Sequence, residues 1–188
     1  SGDVDLGPGW RAASRGSSGQ APDPAHESNA VVQVYGARTV RWRGAFGIHS
    51  WIAVKRAGAS EYTTYQVIGW RAYRGLSAVD VRPGAVPDGH WFGQPPLLLA
   101  DRRGAGVEEL IDRIEDAVAD YPWPTRYRVW PGPNSNTFVA HLARQVPELG
   151  LDLPPTAIGK DFLGDTRIFA RAPSGTGWQV SLYGVLGA

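Results

Sequence analysis

The sequence predicts an α+β domain in which an antiparallel sheet is covered by helices. Residues 45–55 and 62–71 are rich in β-branched and aromatic side chains, and residues 57–60 between them have turn chemistry, so a hairpin is predicted there. Apolar side chains recur at helical spacing from residue 106 to residue 121, with charged side chains on the other face. Together the two patterns indicate a sheet that buries one face under helices.

The length of 188 residues fits one domain, or one domain with a tail. The N-terminal stretch lacks hydrophobic periodicity and is rich in Gly, Ser and Pro, most strongly in residues 16–24, which is typical of a spacer. We therefore expect residues 1–29 to form an N-terminal tether or an irregular surface wrap. The folded domain is expected to span residues 30–188, beginning with short strands that break at Gly36.

The second half of the chain predicts shorter elements. Residues 83–96 contain several Pro and Gly and are expected to form a loop or a broken strand. Residues 126–130 predict a short strand, and residues 131–133 predict a tight turn that leads into a helix starting near Asn134. Two closing strands are expected at residues 166–171 and 178–183.

Composition excludes several classes of protein. With 19 basic and 18 acidic side chains the net charge is +1, which gives no overall field to attract nucleic acid. Cys and Met are both absent, so the chain has no disulfide, thiolate metal site or cysteine nucleophile. The four histidines lack the H-E-x-x-H spacing, and we expect neither a metal nor another cofactor. Since the chain starts without Met, we expect a processed or trimmed product.

A serine stands at the start of the helix predicted from Asn134. In that helix Ser135, Phe138, Val139 and Leu142 have the spacing of one face, so the Ser135 hydroxyl is expected to point towards the sheet. The free N–H groups of a first helical turn stabilise developing negative charge, which suits a nucleophile. The same residues are also consistent with a simple N-cap, which contributes about 1 kcal/mol to stability.

A nucleophilic serine needs a base, and four histidines are available. His49 lies near the start of the strongest predicted strand and is the best candidate, although a histidine satisfied within the sheet is equally consistent. His141 lies about 120° from the inward face of its helix. His26 belongs to the N-terminal tail, and His90 lies in a turn beside two aromatic residues.

Several motifs carry a resemblance to known families. The segments VRWRGAF, HSWIAVK, WPGPNSNTFVAH and PSGTG, at residues 40–46, 49–55, 130–141 and 173–177, resemble an uncharacterised bacterial family whose members often carry an N-terminal hydrophobic segment. A histidine that opens a hairpin strand, followed roughly eighty residues later by Asn-Ser-Asn-Thr-Phe at a helix start, resembles the circularly permuted papain-like hydrolases. Among these are PPPDE peptidases, relatives of lecithin:retinol acyltransferase and permuted NlpC-type enzymes, whose nucleophile is a cysteine.

The resemblance implies a circularly permuted papain-like fold, with the nucleophile at the N-terminus of a helix packed on an antiparallel sheet. Ser135 takes the place of the usual cysteine and His49 that of the base. Across the hairpin, Gln66 or Tyr65 falls nearest to His49 as its orienting partner, and Gln66 is preferred. The residues assigned to the oxyanion site or the cleft are Asn134, Asn136, Tyr65 and Trp130.

Two functions therefore stay open. The first is a serine-dependent hydrolase of an amide or ester bond, in which Ser135 attacks an acyl carbon and backbone N–H groups hold the oxyanion. The second is a catalytically inactive binding module that retains the cleft for a peptide, glycan or lipid. Either function implies a peptide, lipid or peptidoglycan-like partner, no nucleic acid and a monomer. The resemblance also implies a periplasmic protein, or a membrane-anchored one that faces the periplasm.

Overall fold

The computed structural model describes residues 16–40, 46–165, 168–182 and 186–187. Three helices and eight strands are assigned within them. The helices are α1 (Gly69–Tyr73), α2 (Val107–Ala119) and α3 (Ser135–Gln145), and a 3-10 turn follows at Pro147–Leu149. The strands are β1 (Val31–Val40), β2 (Phe46–Lys55), β3 (Thr63–Val67), β4 (Val79–Pro83), β5 (Leu97–Arg103), β6 (Phe169–Arg171), β7 (Trp178–Leu182) and β8 (Leu186–Gly187). Within the described residues, no helix has both the length and the apolar character needed to cross a bilayer.

A five-stranded antiparallel sheet in the order β4-β3-β2-β1-β5 forms the centre of the molecule. A smaller sheet of β6, β7 and β8 lies near the C-terminus. The predicted mixed α+β class is confirmed, as are the hairpin of β2 with β3 and the helix α2.

The first strand is longer than predicted, because β1 runs unbroken through Gly36 and pairs with β2 from Val31–Lys55 to Val40–Phe46. A larger residue at this position would crowd two neighbouring side chains. A Cβ atom at Gly36 would lie 3.0 Å from the Cδ1 atoms of both Ile48 and Leu99.

Two predicted strands are wrong in part or in full. The second hairpin strand ends at Val67, and the Gly-Trp-Arg sequence that was expected to extend it begins α1. Residues 126–130 form no strand; instead, the N–H of Arg128 donates to the carbonyl of Pro133 at 2.8 Å and closes a tight loop. Strands β4 and β5 were not predicted, since both are edge strands with largely exposed side chains. Residues 166 and 167, in the first predicted closing strand, lie outside the described residues.

The central sheet has two different faces. Side chains alternate along β2, so Ile48 and Ile52 lie on the helix face, in the core formed with α2 and α3. Trp51 and Ala53 lie on the second face, in a smaller cluster with Tyr35 and Tyr62. This alternation decides where each candidate site residue of β2 points.

Residues 16–24 lie against the second face and are held there by the buried Asp88. Its Oδ2 atom accepts hydrogen bonds from the hydroxyls of Ser17 and Ser18 and from the N–H groups of Gln20 and Ala21, at 2.7–3.2 Å. Burial opposes ionisation, but these hydrogen bonds outweigh it and hold the pKa of Asp88 below its ordinary value.

We predict that Asp88→Ala lowers the free energy of unfolding by about 2–3 kcal/mol at pH 7, because the four donors lose a charged acceptor. Since the folded pKa is lowered, this contribution is present above the ordinary pKa of about 4 and is lost as the pH falls through the folded value. Urea unfolding of the parent and of Asp88→Ala at several pH values measures this contribution to the free energy of unfolding. The exposed Asp120→Asn change serves as the control and should stay within about 0.5 kcal/mol of the parent. Equal unfolding midpoints for the parent and Asp88→Ala at pH 7 would contradict the account.

Candidate functional site

Asn134 is the N-cap of α3, and its side chain organises the first turn of the helix. Its Oδ1 atom accepts the N–H groups of Asn136 and Thr137 at 2.9 and 3.1 Å, and its own N–H donates to the Thr137 hydroxyl at 3.1 Å. This reciprocal arrangement is a capping box. The capping function that the sequence allowed for this segment therefore belongs to Asn134 and Thr137.

The side-chain amide nitrogen of Asn134 also forms hydrogen bonds within the protein. It donates to the carbonyls of Val129 and Ile158 at 3.0 and 2.9 Å. A Cβ atom at Gly159 would overlap this nitrogen, so only glycine leaves room for the contact. Asn134 was assigned to the cleft, but its polar atoms join the helix start to two loops.

Asn136 ties the start of α3 to strand β2. Its amide nitrogen donates to the carbonyls of Ile48 and Ile158, both at 2.9 Å, and its Oδ1 atom accepts the Ser50 hydroxyl at 2.8 Å. Asn136 is 3% exposed and Ser50 is fully buried. Both groups of the Asn136 amide are therefore occupied within the protein.

Ser135 is the first residue of α3 and is 4% exposed. Its carbonyl accepts the Ser50 hydroxyl at 3.4 Å. Among the described residues, no hydrogen bond reaches the Ser135 hydroxyl or leaves its N–H. The position thus has the N–H and dipole of a helix start, as the sequence predicted, but it has no described base.

His49 lies on the second face of the sheet, directly across from Ala37 of β1. Its ring stacks on Trp91 and Trp51, with centroid distances of 4.5 and 5.9 Å. Its Nε2 atom lies 3.0 Å from Oε1 of Gln66, the orienting partner that the sequence favoured. Burial lowers the pKa of His49, and the Gln66 hydrogen bond opposes this shift in part.

The hydrogen bonds of Gln66 assign the tautomer of His49. The Gln66 amide nitrogen donates to Oδ2 of Asp80 at 3.1 Å, so its oxygen faces the ring and accepts the Nε2–H group. The Nδ1 atom then carries the lone pair. Asp80 is itself held by Arg71 and Arg82, at 3.3 and 2.6 Å.

The expected contact between His49 and Ser135 is absent from the contacts of the described residues, and the alternation of β2 explains why. The side chain of Ser50 points towards the start of α3, so that of His49 points to the opposite face. Tyr65 is also on the helix face, where its hydroxyl donates to Glu115 of α2 at 3.0 Å. It therefore makes no pair with His49.

The other histidines have structural contacts. His141 Nε2 lies 3.1 Å from the carbonyl of Ala117, and His90 Nδ1 lies 2.8 Å from that of Gly16. Nowhere in the described ranges do three or more His, Asp or Glu side chains stand together as metal ligands.

Helix α1 and the loop before α3 carry four aromatic side chains, of which three are exposed and Tyr127 is half-buried. We call Trp70, Tyr73, Tyr127 and Trp130 the aromatic surface; the exposed fractions of Trp70, Tyr73 and Trp130 are 49%, 69% and 60%. Tyr127 joins α1 to the loop before α3, because its ring packs on Gly69 and meets Tyr73 edge to face at 6.0 Å. A Cβ atom at Gly69 would lie 2.6 Å from the Tyr127 ring.

The loop that carries Trp130 is closed by two hydrogen bonds. The N–H of Arg128 donates to the Pro133 carbonyl at 2.8 Å, and the Asn134 amide donates to the Val129 carbonyl at 3.0 Å. Sequence reasoning assigned Trp130 to the cleft but missed Trp70 and Tyr73. Their spacing of three residues, which suits one face of a helix, is the available signal.

The chain is similar to one family of known sequences over most of its length. A family model described as "Protein of unknown function (DUF3750)" matches residues 29–162. This range includes both faces of the central sheet, the start of α3 and the aromatic surface. No curated protein and no solved structure matches the chain.

We predict that the pKa of His49 lies below the ordinary value of about 6.5, because burial beside the rings of Trp51 and Trp91 disfavours the charged imidazolium. Between the folded and the unfolded pKa, the His49 imidazole is protonated in the unfolded chain and neutral in the folded protein. The free energy of unfolding should therefore fall as the pH decreases from about 6.5 to the folded pKa. NMR titration of the ring protons measures the pKa, and His49→Phe should remove this part of the pH dependence. A midpoint at or above about 6.5 would contradict the assignment.

Proposed function

The chain belongs to the DUF3750 family, and we propose that it is a non-catalytic binding module for a carboxylate-bearing glycan, such as a peptidoglycan-like strand. The aromatic surface and the arginines beside it form the binding site. The observation that carries the proposal is the set of exposed rings next to guanidinium groups, two of which, those of Arg74 and Arg128, form no ion pair with a described residue.

The rings suit a sugar ligand because they are exposed and held in place. A contiguous exposed apolar patch on a well-packed domain marks an interaction site. The Tyr127 ring is held by its packing on Gly69, and the backbone of the loop that carries Trp130 is closed by the hydrogen bond from Arg128 to Pro133. Rings that are already ordered lose little entropy on binding. The flat face of an indole or phenol packs against the apolar face of a sugar ring, while its polar edge stays in water.

The arginines add a preference for negative charge. Arg71 pairs with Asp80 and Arg126 pairs with Asp165. Arg74 lies over the Trp70 ring at 5.2 Å, and neither it nor the exposed Arg128 has an ion pair within the described part of the chain. A guanidinium group binds a carboxylate through two parallel N–H donors. The expected ligand therefore carries carboxylates next to its sugar rings.

The preference for an inactive module over a hydrolase follows from the missing base. A serine hydroxyl loses its proton only as it attacks, so it needs a general base within hydrogen-bond reach. Ser50, not a histidine, is the β2 side chain that reaches the start of α3. On a circularly permuted papain-like frame, this is the position from which the base would act.

A serine hydrolase is the second candidate, and one observation favours it. The hydroxyl of Ser135 stands at a helix N-terminus without a hydrogen-bond partner among the described residues. The permuted papain-like frame is part of both proposals, and two features support it: the hairpin precedes the Asn-Ser-Asn helix in the chain, and that helix packs on the antiparallel sheet. An envelope glycan as ligand also implies a periplasmic or periplasm-facing protein.

We predict that Trp130→Ala weakens the binding of soluble muropeptides at least tenfold, because the ring that stacks on the sugar is removed. Arg128→Gln should weaken binding a few-fold and reduce its salt dependence. Isothermal titration calorimetry measures both effects. Phe92→Ala is the matched control, since this ring is 84% exposed in another loop. Chito-oligosaccharides, which lack carboxylates, should bind Arg128→Gln and the parent equally.

The binding proposal fails if the parent protein shows no saturable binding of muropeptides, or if Trp130→Ala binds them as well as Phe92→Ala does. Saturable binding of an acidic peptide without sugar, at equal affinity, would assign the site to peptides instead.

We predict that a serine-directed fluorophosphonate leaves Ser135 unlabelled, because no described base activates the hydroxyl. In the Ser135→Cys variant, alkylation of the thiol should proceed at the same rate with and without His49→Ala, since His49 lies on the other face. Mass spectrometry follows both reactions. Stoichiometric labelling of Ser135 would restore the hydrolase, as would an alkylation rate in the Ser135→Cys variant that depends on His49.

A further inference from the structure

We infer that the pocket between β7 and the loops at residues 152–161 and 172–174 is a separate subsite for one neutral sugar ring. The cavity has a volume of about 140 Å³. Its polar and aromatic lining consists of Asp152, Lys160, Asp161, Ser174, Trp178 and Gln179. None of these residues belongs to the aromatic surface, and Trp178 and Gln179 lie outside the range that the family model matches.

The half-buried Arg144 fixes the orientation of two side chains that line this pocket. Arg144 donates to the carbonyls of Lys160 and Arg171 at 2.7 and 3.1 Å and to Oε1 of Gln179 at 2.8 Å. The Gln179 nitrogen then faces Asp161 and donates to its Oδ1 atom at 2.7 Å. The orientation of the Gln179 amide and of the Asp161 carboxylate is therefore set before any ligand arrives.

The wall of the pocket presents an acceptor beside a donor. Asp161 Oδ1 accepts from Gln179 and from Lys160 Nζ, each at 2.7 Å, while its Oδ2 atom has no partner in the described ranges. Lys160 has three N–H donors and uses one of them in these contacts. Asp152 is exposed and forms no ion pair with a described residue. Adjacent sugar hydroxyls match this arrangement, since one donates to a carboxylate while the next accepts from an ammonium.

Trp178 supplies the aromatic group at the rim. Its side chain is 74% exposed, and the Arg171 guanidinium lies 5.9 Å from the ring centroid on the paired strand β6. An indole beside a polar wall offers one surface to the apolar face of a sugar and another to its hydroxyls. The cavity is smaller than the roughly 300–1,000 Å³ of pockets that enclose whole ligands, so it fits a single ring.

The charges of this pocket differ from those of the aromatic surface. Asp152 and Asp161 outnumber Lys160, and the Arg144 guanidinium is occupied beneath them. The pocket therefore favours hydroxyl groups over carboxylates. The inference is independent of the proposed function, because it uses other residues and a ligand of different charge.

The test is a titration of the parent protein with four neutral sugars: glucose, mannose, galactose and N-acetylglucosamine. We expect at least one of them to shift the Trp178 indole and Gln179 amide NMR signals saturably, with a dissociation constant of about 1 mM. Trp178→Ala and Asp161→Asn should each weaken this binding at least tenfold. Phe169→Ala, which removes a ring that is 66% exposed on the same sheet, is the matched control and should leave it unchanged.

Trp130→Ala should also leave the neutral-sugar affinity unchanged, which separates this subsite from the aromatic surface. The inference is overturned if none of the four sugars shifts the signals saturably. It is equally overturned if Trp178→Ala, with an unchanged circular dichroism spectrum and melting temperature, binds them as the parent does.

Discussion

The hydrogen bonds of Asn136 are the interaction on which the arrangement of this molecule depends. This buried amide joins the start of α3 to Ser50 and Ile48 of β2 and to the carbonyl of Ile158. Burying an amide costs free energy unless its donors and acceptor are all paired, and here they are. The pairing fixes one position of the helix on the sheet. Asn134 extends the same anchor to the Trp130 loop through the Val129 carbonyl.

The hydrogen bonds of Asn136 also determine which side chains of β2 lie near Ser135. Because Ser50 takes part in them, His49 must point to the second face, where Trp91, Trp51 and Gln66 enclose its ring. The histidine is held in one tautomer, as an orienting partner would hold a base, but it faces away from Ser135. The exposed rings of the aromatic surface are better suited to binding a ligand than to proton transfer.

Patterns in the sequence predicted the elements that are determined by interactions between residues close together in the chain. The period of the apolar residues in α2, the β-branched residues of β2 and the capping residues before α3 all identify their elements. The pairing of His49 with Gln66 was also predictable, because hairpin geometry limits the neighbours. The contact with Ser135 was not, since adjacent strand residues point to opposite faces and a shift of one residue reverses them. Gly69 shows the same limit: only the close packing of the Tyr127 ring explains why a glycine stands at this position.

The indole N–H signals of the eight tryptophans test the central claim most directly. In a ¹H–¹⁵N spectrum recorded while soluble muropeptides are added, the account predicts saturable shifts of the Trp70 and Trp130 signals. The Trp51 and Trp91 signals, beside His49 on the second face, should stay in place. Shifts at Trp51 and Trp91 without shifts at Trp70 and Trp130 would contradict the account, because the ligand would then occupy the histidine face of the sheet.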